Sequence, residues 1–379
     1  MKLGPSGDTS HYDGPGLVLS QFRKSRNRID EVNHCEVGIA GGGIIGLSAA
    51  LELAAAGLKV TVFERGRAMA ESSWAAAGML AAGDPENPAA LRPLAKLSAG
   101  LYPQFLANIE RLAGERIPVR TSRTIQGVRQ LPEGLHDLDT AELAALAPGL
   151  AAGSLKFFSL DEPSLDPRDL ARALPRAVRA AGVTLLENTA VTAVNAQARG
   201  VRIETDSGTW SAEKMIHCSG AWAAELTDIP IVPRKGQMVV VEGPERLNVV
   251  LRTPEIYLVP RSNGLIAVGA SVEEAGFDKQ VYPATTARLL DLAAALWPPV
   301  RTMRVVDAWA GLRPATTDGL PVIDTCGEHC WVAAGHFRNG ILLAPGTARV
   351  LLEMISGEPL SVDLEPFRCG RFAASSVHT

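Results

Sequence analysis

The most constraining feature of this sequence is a cluster of glycines between an apolar run and an alanine-rich stretch. Residues 35–40 (CEVGIA) predict a short buried strand, and residues 47–57 predict a helix that ends at a glycine. Between them lies the motif Gly41-x-Gly43-x-x-Gly46. A strand, a glycine turn and a helix in this order are typical of a dinucleotide-binding unit.

Each glycine of the motif has a physical role. Gly41 permits a sharp turn, Gly43 lets the backbone approach a pyrophosphate, and Gly46 lets the helix pack closely on the strand. Residues 59–64 (KVTVFE) predict a second strand ending in Glu64, which could accept hydrogen bonds from a ribose and would repel a 2′-phosphate. The motif does not separate NAD from FAD, and a glycine-rich turn without a ligand is the alternative.

Charge and cysteine content exclude several classes of protein. The 379 residues include 37 Lys and Arg against 41 Asp and Glu, so no basic field is available to bind nucleic acid. Hydrophobic residues make up 46% of the chain, which excludes wholesale disorder and leaves room for about two or three domains. Five widely spaced cysteines favour a reducing compartment, and we expect a cytoplasmic protein.

One stretch is apolar enough to resemble a membrane span. Residues 37–60 are long enough to cross a bilayer, but four glycines between Gly41 and Gly46 would weaken a helix there. A strand, a turn and a helix explain the same apolarity, so we expect no membrane span. Residues 1–34 contain no secretory signal and predict a disordered extension, with a transit peptide as the alternative.

Hydrophobic periodicity gives a coarse assignment of the other elements. Helical spacing predicts helices over residues 89–112, 140–146, 166–181 and 340–355. Strand-like runs occupy residues 183–187, 201–204 and 214–218. Segments of period two, which predict an antiparallel sheet with one covered face, occupy residues 237–241, 256–259 and 265–268.

The segment after the second strand helps to distinguish the two cofactors. Residues 71–80 (ESSWAAAGML) are mostly small, which would let the backbone lie close to a flat ligand and place serine hydroxyls near phosphate. An NAD-binding domain would normally continue into another strand and helix. The alternative is a small-residue face for helix packing.

Four later segments, together with the front unit, carry a resemblance. They are residues 255–261 (EIYLVPR), 268–274 (VGASVEE), 309–314 (WAGLRP) and 335–345 (GHFRNGILLAP). With them the chain resembles the FAD-dependent amine and amino acid oxidases of the D-amino acid oxidase superfamily, and within it the glycine oxidases of thiamine biosynthesis. The resemblance covers residues 35–367.

The resemblance implies an α/β fold with a Rossmann-like FAD-binding domain and an inserted antiparallel-sheet substrate domain. The FAD-binding domain would be discontinuous, and its pieces would be residues 35–88, 155–228 and 307–368. The substrate domain would comprise residues 89–154 and 229–306, and residues 369–379 would form a tail.

The resemblance also implies three catalytic residues. Arg313 matches the arginine that binds the substrate carboxylate, a task that suits its planar fork of donors; the alternative is a structural ion pair with an acid such as Asp318. Tyr257 matches the tyrosine that hydrogen-bonds that carboxylate, although strand tyrosines generally belong to a core or rim. Arg338 matches the loop that lies against the isoalloxazine ring.

A larger set of residues matches positions that bind the cofactor or border the pocket. The cofactor set is Gly41, Gly43, Ile44, Ile45, Gly46, Glu64, Ser72, Ser73, Ala77, Gly78, Met79, Val191, Ser219, Gly220, Trp222, Gly311, Gly335, His336, Arg338, Asn339, Gly340 and Ile341. Met79 and Val272 match the border of the substrate pocket. Glu255 stands where the family can carry a histidine, a departure that concerns the polarity of the outer pocket.

Two further features bear on cofactor chemistry. Cys326, His329 and Cys330 could suggest a metal site, but three ligands in five positions without a fourth predict a tight turn, and we expect no metal. Some relatives tether flavin to a cysteine near the arginine-bearing strand. Residues 309–317 contain none, so we expect non-covalent FAD.

The resemblance therefore implies oxidation of glycine, and of sarcosine and small D-amino acids, to the imine, with oxygen as the electron acceptor and thiazole formation in thiamine synthesis as the destination. A D-amino acid dehydrogenase that passes electrons to a quinone or carrier is the main alternative, and a flavin-binding protein without turnover is another. The family also implies a homotetramer.

Overall fold

The structure is a computed structural model that describes Met1 and residues 33–376. The extension expected over residues 1–34 lies outside the described residues, except for Asn33 and His34, which begin the first strand. No helix within the described part of the chain is long and apolar enough to cross a membrane. Residues 37–60 form a strand, a turn and a helix, as the glycines predicted.

The described chain alternates strands, helices and short 3₁₀ turns. The strands are β1 (Asn33–Ala40), β2 (Val60–Phe63), β3 (Val119–Thr121), β4 (Thr124–Val128), β5 (Lys156–Leu160), β6 (Ser164–Leu165), β7 (Thr184–Leu186), β8 (Val191–Ala196), β9 (Val201–Thr205), β10 (Gly208–His217), β11 (Val232–Glu242), β12 (Val250–Arg252), β13 (Tyr257–Pro260), β14 (Leu265–Gly269), β15 (Arg304–Ala315), β16 (Val322–Gly327) and β17 (Cys330–Ala334). The α-helices are α1 (Ile44–Ala55), α2 (Ser72–Ala75), α3 (Arg92–Ala113), α4 (Thr140–Leu146), α5 (Pro167–Ala180), α6 (Pro283–Leu296) and α7 (Gly340–Ser356). The 3₁₀ turns span Ala89–Leu91, Gly220–Glu225, Ser262–Gly264, Pro298–Thr302, Phe337–Asn339, Glu365–Phe367 and Cys369–Ser376.

The first sheet carries the glycine turn. Its order is β16-β17-β10-β1-β2-β7, and β9 joins it by pairing with both β10 and β8. The strands from β17 to β7 run parallel, with Val37 opposite Val60 on one side and Lys214 on the other. Parallel strands are covered on both faces, which explains why β1 and β2 are almost continuously apolar.

Helices α1, α3, α5 and α7 pack together beside this sheet and share its main core. Helix α1 has no side-chain cap, and its Ala and Leu residues bury most of its surface. Helix α5 begins as predicted, because Asp166 caps it by accepting a hydrogen bond from the Arg168 N–H, with proline at the first helical position.

The second sheet has seven strands in the order β15-β11-β14-β13-β12-β4-β5. All its pairings are antiparallel except that between β12 and β4. One face is covered by α6 and its neighbours around the buried Trp297, and Val239, Val241 and Val268 belong to that core. The opposite face carries Met238 and Ala267 and faces the first sheet's loops. The predicted antiparallel sheet is therefore confirmed apart from the parallel pair, but the expectation of one covered face was wrong, because Met238 and Val240 on the other face are buried as well.

The helix predicted over residues 140–146 has those bounds, and the one predicted over 340–355 ends one residue later. The turn predicted at Cys326–Cys330 joins two antiparallel strands. Helix α3, which the predicted boundaries assign to the substrate domain, packs against α7 and belongs to the main core. The division into two domains stays a prediction.

Candidate active site

The glycine turn is built so that side chains could not fit. Gly41 has φ of +110°, and a Cβ there would lie 2.3 Å from the Cys218 carbonyl oxygen. A Cβ on Gly46 would lie 2.0 Å from the Gly41 carbonyl oxygen. These contacts hold the turn against the end of β10 and α1 against the turn, as the motif predicted.

The N-terminus of α1 opens into a cavity that is lined by residues of both sheets. Gly43 occupies the N-cap position, and Gly43, Ile44 and Ile45 all line the cavity. The Ile44 N–H donates to Ser73 Oγ at 2.9 Å, so a hydroxyl already lies where the helix favours oxygen atoms. Unpaired N–H groups and the helix dipole make this end suited to a phosphate.

Glu64 lies at the end of β2, where the sequence placed it. Its two carboxylate oxygens accept from the Gly42 N–H at 2.7 Å and the Gly66 N–H at 2.8 Å. The Thr189 N–H donates to the Glu64 carbonyl at 2.8 Å, which brings the start of β8 and its Val191 close to the acid. The carboxylate is thereby fixed in orientation, with lone pairs left for a ribose.

The small-residue segment lies between the two sheets. The Trp309 Nε1–H of β15 donates to the Ala75 carbonyl at 3.0 Å. A Cβ on Gly311 would lie 2.5 Å from the Ala75 Cβ, and one on Gly78 would lie 2.1 Å from the Leu165 carbonyl oxygen. Close backbone approach, and not only helix packing, therefore explains the small residues here.

Two glycines of the second sheet form the floor beneath the predicted catalytic side chains. A Cβ on Gly236 would lie 2.2 Å from Arg313 Nη1, and a Cβ on Gly269 would lie 2.9 Å from Tyr257 Oη. Gly236 pairs with Gly311, and Gly269 pairs with both Met238 and Tyr257. The arginine and the tyrosine can lie flat on the sheet only because these positions carry no side chain.

The Arg313 guanidinium has no carboxylate partner among the described residues. Its Nη1 donates to the Ser271 carbonyl at 3.1 Å and more distantly, at 3.5 Å, to that of Lys235. Asp318, the alternative partner considered from the sequence, pairs instead with Arg371 at 2.7 Å. Arg313 is half-buried and lines the cavity, so its positive charge is available to an anion there.

Arg338 also lines the cavity, but its charge is already neutralised. It forms ion pairs with Asp84 at 2.8 Å and Glu86 at 2.7 Å. Burial works against its protonation, yet the hydrogen bond to Glu86 and the charges of both acids raise the pKa of Arg338 above its ordinary value. Asp84 and Glu86 line the cavity too, and sequence reasoning missed both.

A third arginine at the cavity, Arg252, lies next to Tyr257 and was not predicted from the sequence. Arg252 is directly opposite Tyr257 on the neighbouring strand and opposite Gln126 on its other side. It is 4% exposed and contacts Glu162 at 3.0 Å and Asp84 at 3.7 Å. Burial raises the pKa of Glu162 above its ordinary value, against the opposing charge of Arg252.

His336 is buried against the cavity wall. Its Nε2 lies 3.1 Å from Thr347 Oγ1 of α7, and it is 3% exposed. Burial lowers the pKa of His336 to about 3, so the ring is neutral at physiological pH. It therefore contributes no positive charge to the site.

The outer pocket contains Glu255, the position at which the sequence departs from the family. Glu255 is exposed and pairs with Arg129 at 2.9 Å, and it lines the cavity mouth. Val272 is 67% exposed at the same cavity, and Met79 is half-buried in it.

The structure brings most of the predicted site residues to one cavity. Those that line it are Gly43, Ile44, Ile45, Ser72, Ser73, Ala77, Gly78, Met79, Gly220, Tyr257, Val272, Gly311, Arg313, His336, Arg338, Asn339, Gly340 and Ile341. Those that lie outside its lining are Gly41, Gly46, Glu64, Val191, Ser219, Trp222 and Gly335. The roles of all these residues stay predictions.

The family to which the chain belongs follows from comparison with known proteins. The family model described as FAD dependent oxidoreductase (DAO) matches residues 36–354. The chain therefore belongs to this family of FAD-dependent oxidoreductases, and its cofactor is FAD.

Particular relatives narrow the comparison. The chain is 36% identical to the bifunctional protein ThiO/ThiG of Trichormus variabilis, over 91% of this chain and 56% of that protein. It is 33% identical to glycine oxidase of Geobacillus kaustophilus, over 89% of this chain and 97% of that protein. The crystal structure of the Geobacillus kaustophilus glycine oxidase is similar with a TM-score of 0.85 at 31% identity, covering 90% of this chain and 99% of that chain. The chain thus spans about half of the bifunctional relative and nearly all of the glycine oxidase.

The residues present fit FAD. The glycine turn leaves backbone where side chains would collide, and Glu64 is held at the end of β2. Ser219 Oγ, next to the cavity-lining Gly220, is buried and has no hydrogen-bond partner within the described residues. Such a group requires a polar partner, and a dinucleotide supplies many.

The buried His336 should make folding sensitive to acid. Because its pKa is lower in the folded protein than the ordinary 6.5, the unfolded chain binds a proton that the folded one does not, and stability is lost as the pH falls below about 6.5. His336→Gln should reduce the loss in unfolding free energy between pH 7 and pH 5 by about 2 kcal/mol. Urea denaturation of the FAD-free protein measures this. The exposed His34→Gln is the control, and an unchanged pH dependence in His336→Gln would contradict the assignment.

Proposed function

We propose that this protein oxidises glycine, together with sarcosine and small D-amino acids, to the corresponding imine. The observation that carries the proposal is the Arg313 guanidinium, which lies in the same cavity as the N-terminus of α1 and has no carboxylate partner among the described residues. The similarity to glycine oxidase over nearly its whole length supports glycine as the substrate.

The chain's own residues bind and orient the substrate. Arg313 offers the substrate carboxylate the donors that its two carbonyl partners leave unused. Tyr257 lies on the same sheet, with β11 and β14 between its strand and that of Arg313, and among the described residues its Oη contacts the weak acceptor Met238 Sδ at 3.8 Å. The chemistry that FAD would supply when bound is acceptance of a hydride from the substrate's α-carbon, with oxygen as the final electron acceptor. When the carboxylate is held at a fixed point, the distance and angle of the α-carbon relative to the flavin are restricted. This lowers the entropic cost of reaching the reactive geometry.

Proton transfer needs no dedicated base in this site. The substrate species that gives up the hydride is the neutral amine, so no group on the protein has to remove a proton in that step, and His336 is neutral and already hydrogen-bonded to Thr347. Arg338 is held by two acids, so it is suited to fix the position of the Phe337–Asn339 turn at the cavity. Both observations support binding and orientation as the main contribution of the protein.

The wider context of the reaction is proposed with it. The imine or its hydrolysis product glyoxylate would serve thiazole formation in thiamine synthesis, in keeping with the bifunctional ThiO/ThiG relatives. We place the enzyme in the cytoplasm, working on a free amino acid and oxygen, as a homotetramer and without nucleic acid.

We propose further that FAD is bound non-covalently. Cys218 lines the cavity, but burial raises the pKa of its thiol to about 12, so the reactive thiolate is scarce. Acid precipitation of the purified protein should therefore release the yellow colour into the supernatant. Colour that stays with the pellet would contradict this prediction.

Two measurements on the purified holoprotein test the reaction. Under anaerobic conditions glycine should bleach the flavin absorbance. Bleaching by sarcosine, D-alanine and D-proline then shows how large a substrate the pocket accepts. In air, hydrogen peroxide should form in equal amount to the glycine consumed. Bleaching with almost no peroxide would indicate a dehydrogenase that uses another acceptor, and no bleaching by any of the four would overturn the proposal.

The role of Arg313 has a separate test. Arg313→Gln should weaken binding of acetate, a carboxylate that cannot be oxidised, by about 2–5 kcal/mol, as is typical when one partner of a buried charge pair is removed. Titration followed by flavin absorbance measures the affinity. Arg304→Gln is the matched control, because Arg304 lies on the same strand but is exposed and pairs with Glu242. Unchanged acetate affinity in Arg313→Gln would remove the residue from the site.

A further inference from the structure

Lys235 is a buried cation whose partners all belong to one segment. Its side chain is 0% exposed, and its Nζ lies 2.7 Å from Asp278 Oδ2 and 3.9 Å from Glu273 Oε2. The ring of Tyr282 lies 4.3 Å from the same ammonium. All three belong to residues 270–282, the connection between β14 and α6, which we call the 270–282 segment. A buried ammonium requires a paired carboxylate. If the segment moved away from β11, Lys235 would be left as a buried charge without a partner.

Gln237 lies two residues after Lys235 on β11 and also binds the 270–282 segment. It is fully buried, and its Nε2 donates to Glu273 at 2.8 Å while its Oε1 accepts from the Tyr282 N–H at 2.6 Å. Its own N–H donates to Ser271 Oγ at 2.8 Å, and Lys235 and Glu273 exchange backbone hydrogen bonds at 3.0 and 2.9 Å. These contacts fix both the beginning and the end of the 270–282 segment against β11.

The segment in turn fixes the carboxylate-binding arginine. The shorter hydrogen bond of the Arg313 guanidinium goes to the Ser271 carbonyl, and the longer one goes to the carbonyl of Lys235 itself. Both acceptors lie within the unit that Lys235 holds together. The direction in which Arg313 presents its remaining donors therefore depends on this unit.

We propose that Lys235 is a positioning residue for substrate binding. The ion pair between its buried ammonium and the partly exposed Asp278 holds the 270–282 segment so that the Ser271 carbonyl orients Arg313 toward the cavity. The inference rests on the proposed role of Arg313. Loss of the ammonium should weaken the grip on the substrate carboxylate and leave the chemistry of bound substrate almost unchanged.

The test compares Lys235, which binds the 270–282 segment from β11, with Lys279, which belongs to the segment and pairs with Glu71. Lys235→Met keeps the apolar stem and removes the charge, while Lys279→Met removes an exposed ion pair with Glu71, a kind of pair that contributes little. In the holoenzyme, Lys235→Met should weaken acetate binding and raise the KM for glycine by about tenfold each, because misorientation of a binding group costs on that scale. The limiting rate of anaerobic flavin reduction should stay within about twofold of the parent. Lys279→Met should leave all three unchanged.

Two further variants separate positioning from simple damage. Asp278→Asn keeps the lysine, removes its closest partner and should shift acetate affinity in the same direction, so it carries the test if Lys235→Met does not fold. Adding Lys235→Met to Arg313→Gln should cause no further loss of acetate affinity, since both act through one guanidinium. Parental acetate affinity in both Lys235→Met and Asp278→Asn, with Arg313→Gln impaired, overturns the positioning role alone. Parental affinity in Arg313→Gln instead overturns the proposed function of the site.

Discussion

The site depends on a cation, the Arg313 guanidinium, that has no carboxylate partner in the part of the chain that the structure describes. A half-buried guanidinium is costly unless its charge and donors are satisfied, and among residues 33–376 Arg313 donates to two backbone carbonyls and to no carboxylate. Carbonyl dipoles orient the group but carry no net charge. The positive charge of Arg313 can be balanced by an anion that enters the cavity, and a substrate carboxylate is such an anion. Arg338, by contrast, is paired with Asp84 and Glu86, so its positive charge is already balanced.

Glycines make room for this arrangement on two surfaces. Gly41 and Gly46 let β10, the turn and α1 approach one another at the dinucleotide end, and Gly236 and Gly269 leave the sheet bare beneath Arg313 and Tyr257. In both places a Cβ would fall within 3 Å of an atom that the site requires. The first pair lies in a sequence motif and can be recognised from its spacing. The second pair cannot, because glycines in a strand acquire meaning only from the side chains that lie over them.

The sequence predicted the parts of the fold that are local. The unit from β1 to β2 and helices such as α4 follow from periodicity and caps, whereas Arg313 and Tyr257 were identified through a family resemblance, and the structure places both at one cavity. The acids that hold Arg338 and Arg252 were not predicted: Glu162 lies ninety residues from Arg252 along the chain, and Asp84 contacts both arginines. Partners of this kind are set by how distant segments meet, which periodicity does not encode. The position of helix α3, which packs against α7, is of the same kind, since an amphipathic pattern does not say which sheet's helices a helix will join.

The charges around the cavity divide into two groups with different consequences for binding. On one side, Arg252 and Arg338 face Asp84, Glu86 and Glu162, and this group carries more negative than positive charge. On the other side, Arg313 is a cation, and the carboxylates of the 270–282 segment have other partners: Glu273 and Asp278 contact Lys235 and Gln237, and Glu274 pairs with Arg234. An amino acid carries both signs, so its carboxylate is favoured toward Arg313 and its amine away from it. The polarity of the cavity thus orients the substrate before any hydrogen bond forms, and Lys235 preserves that polarity by keeping the acids of the segment from competing for Arg313.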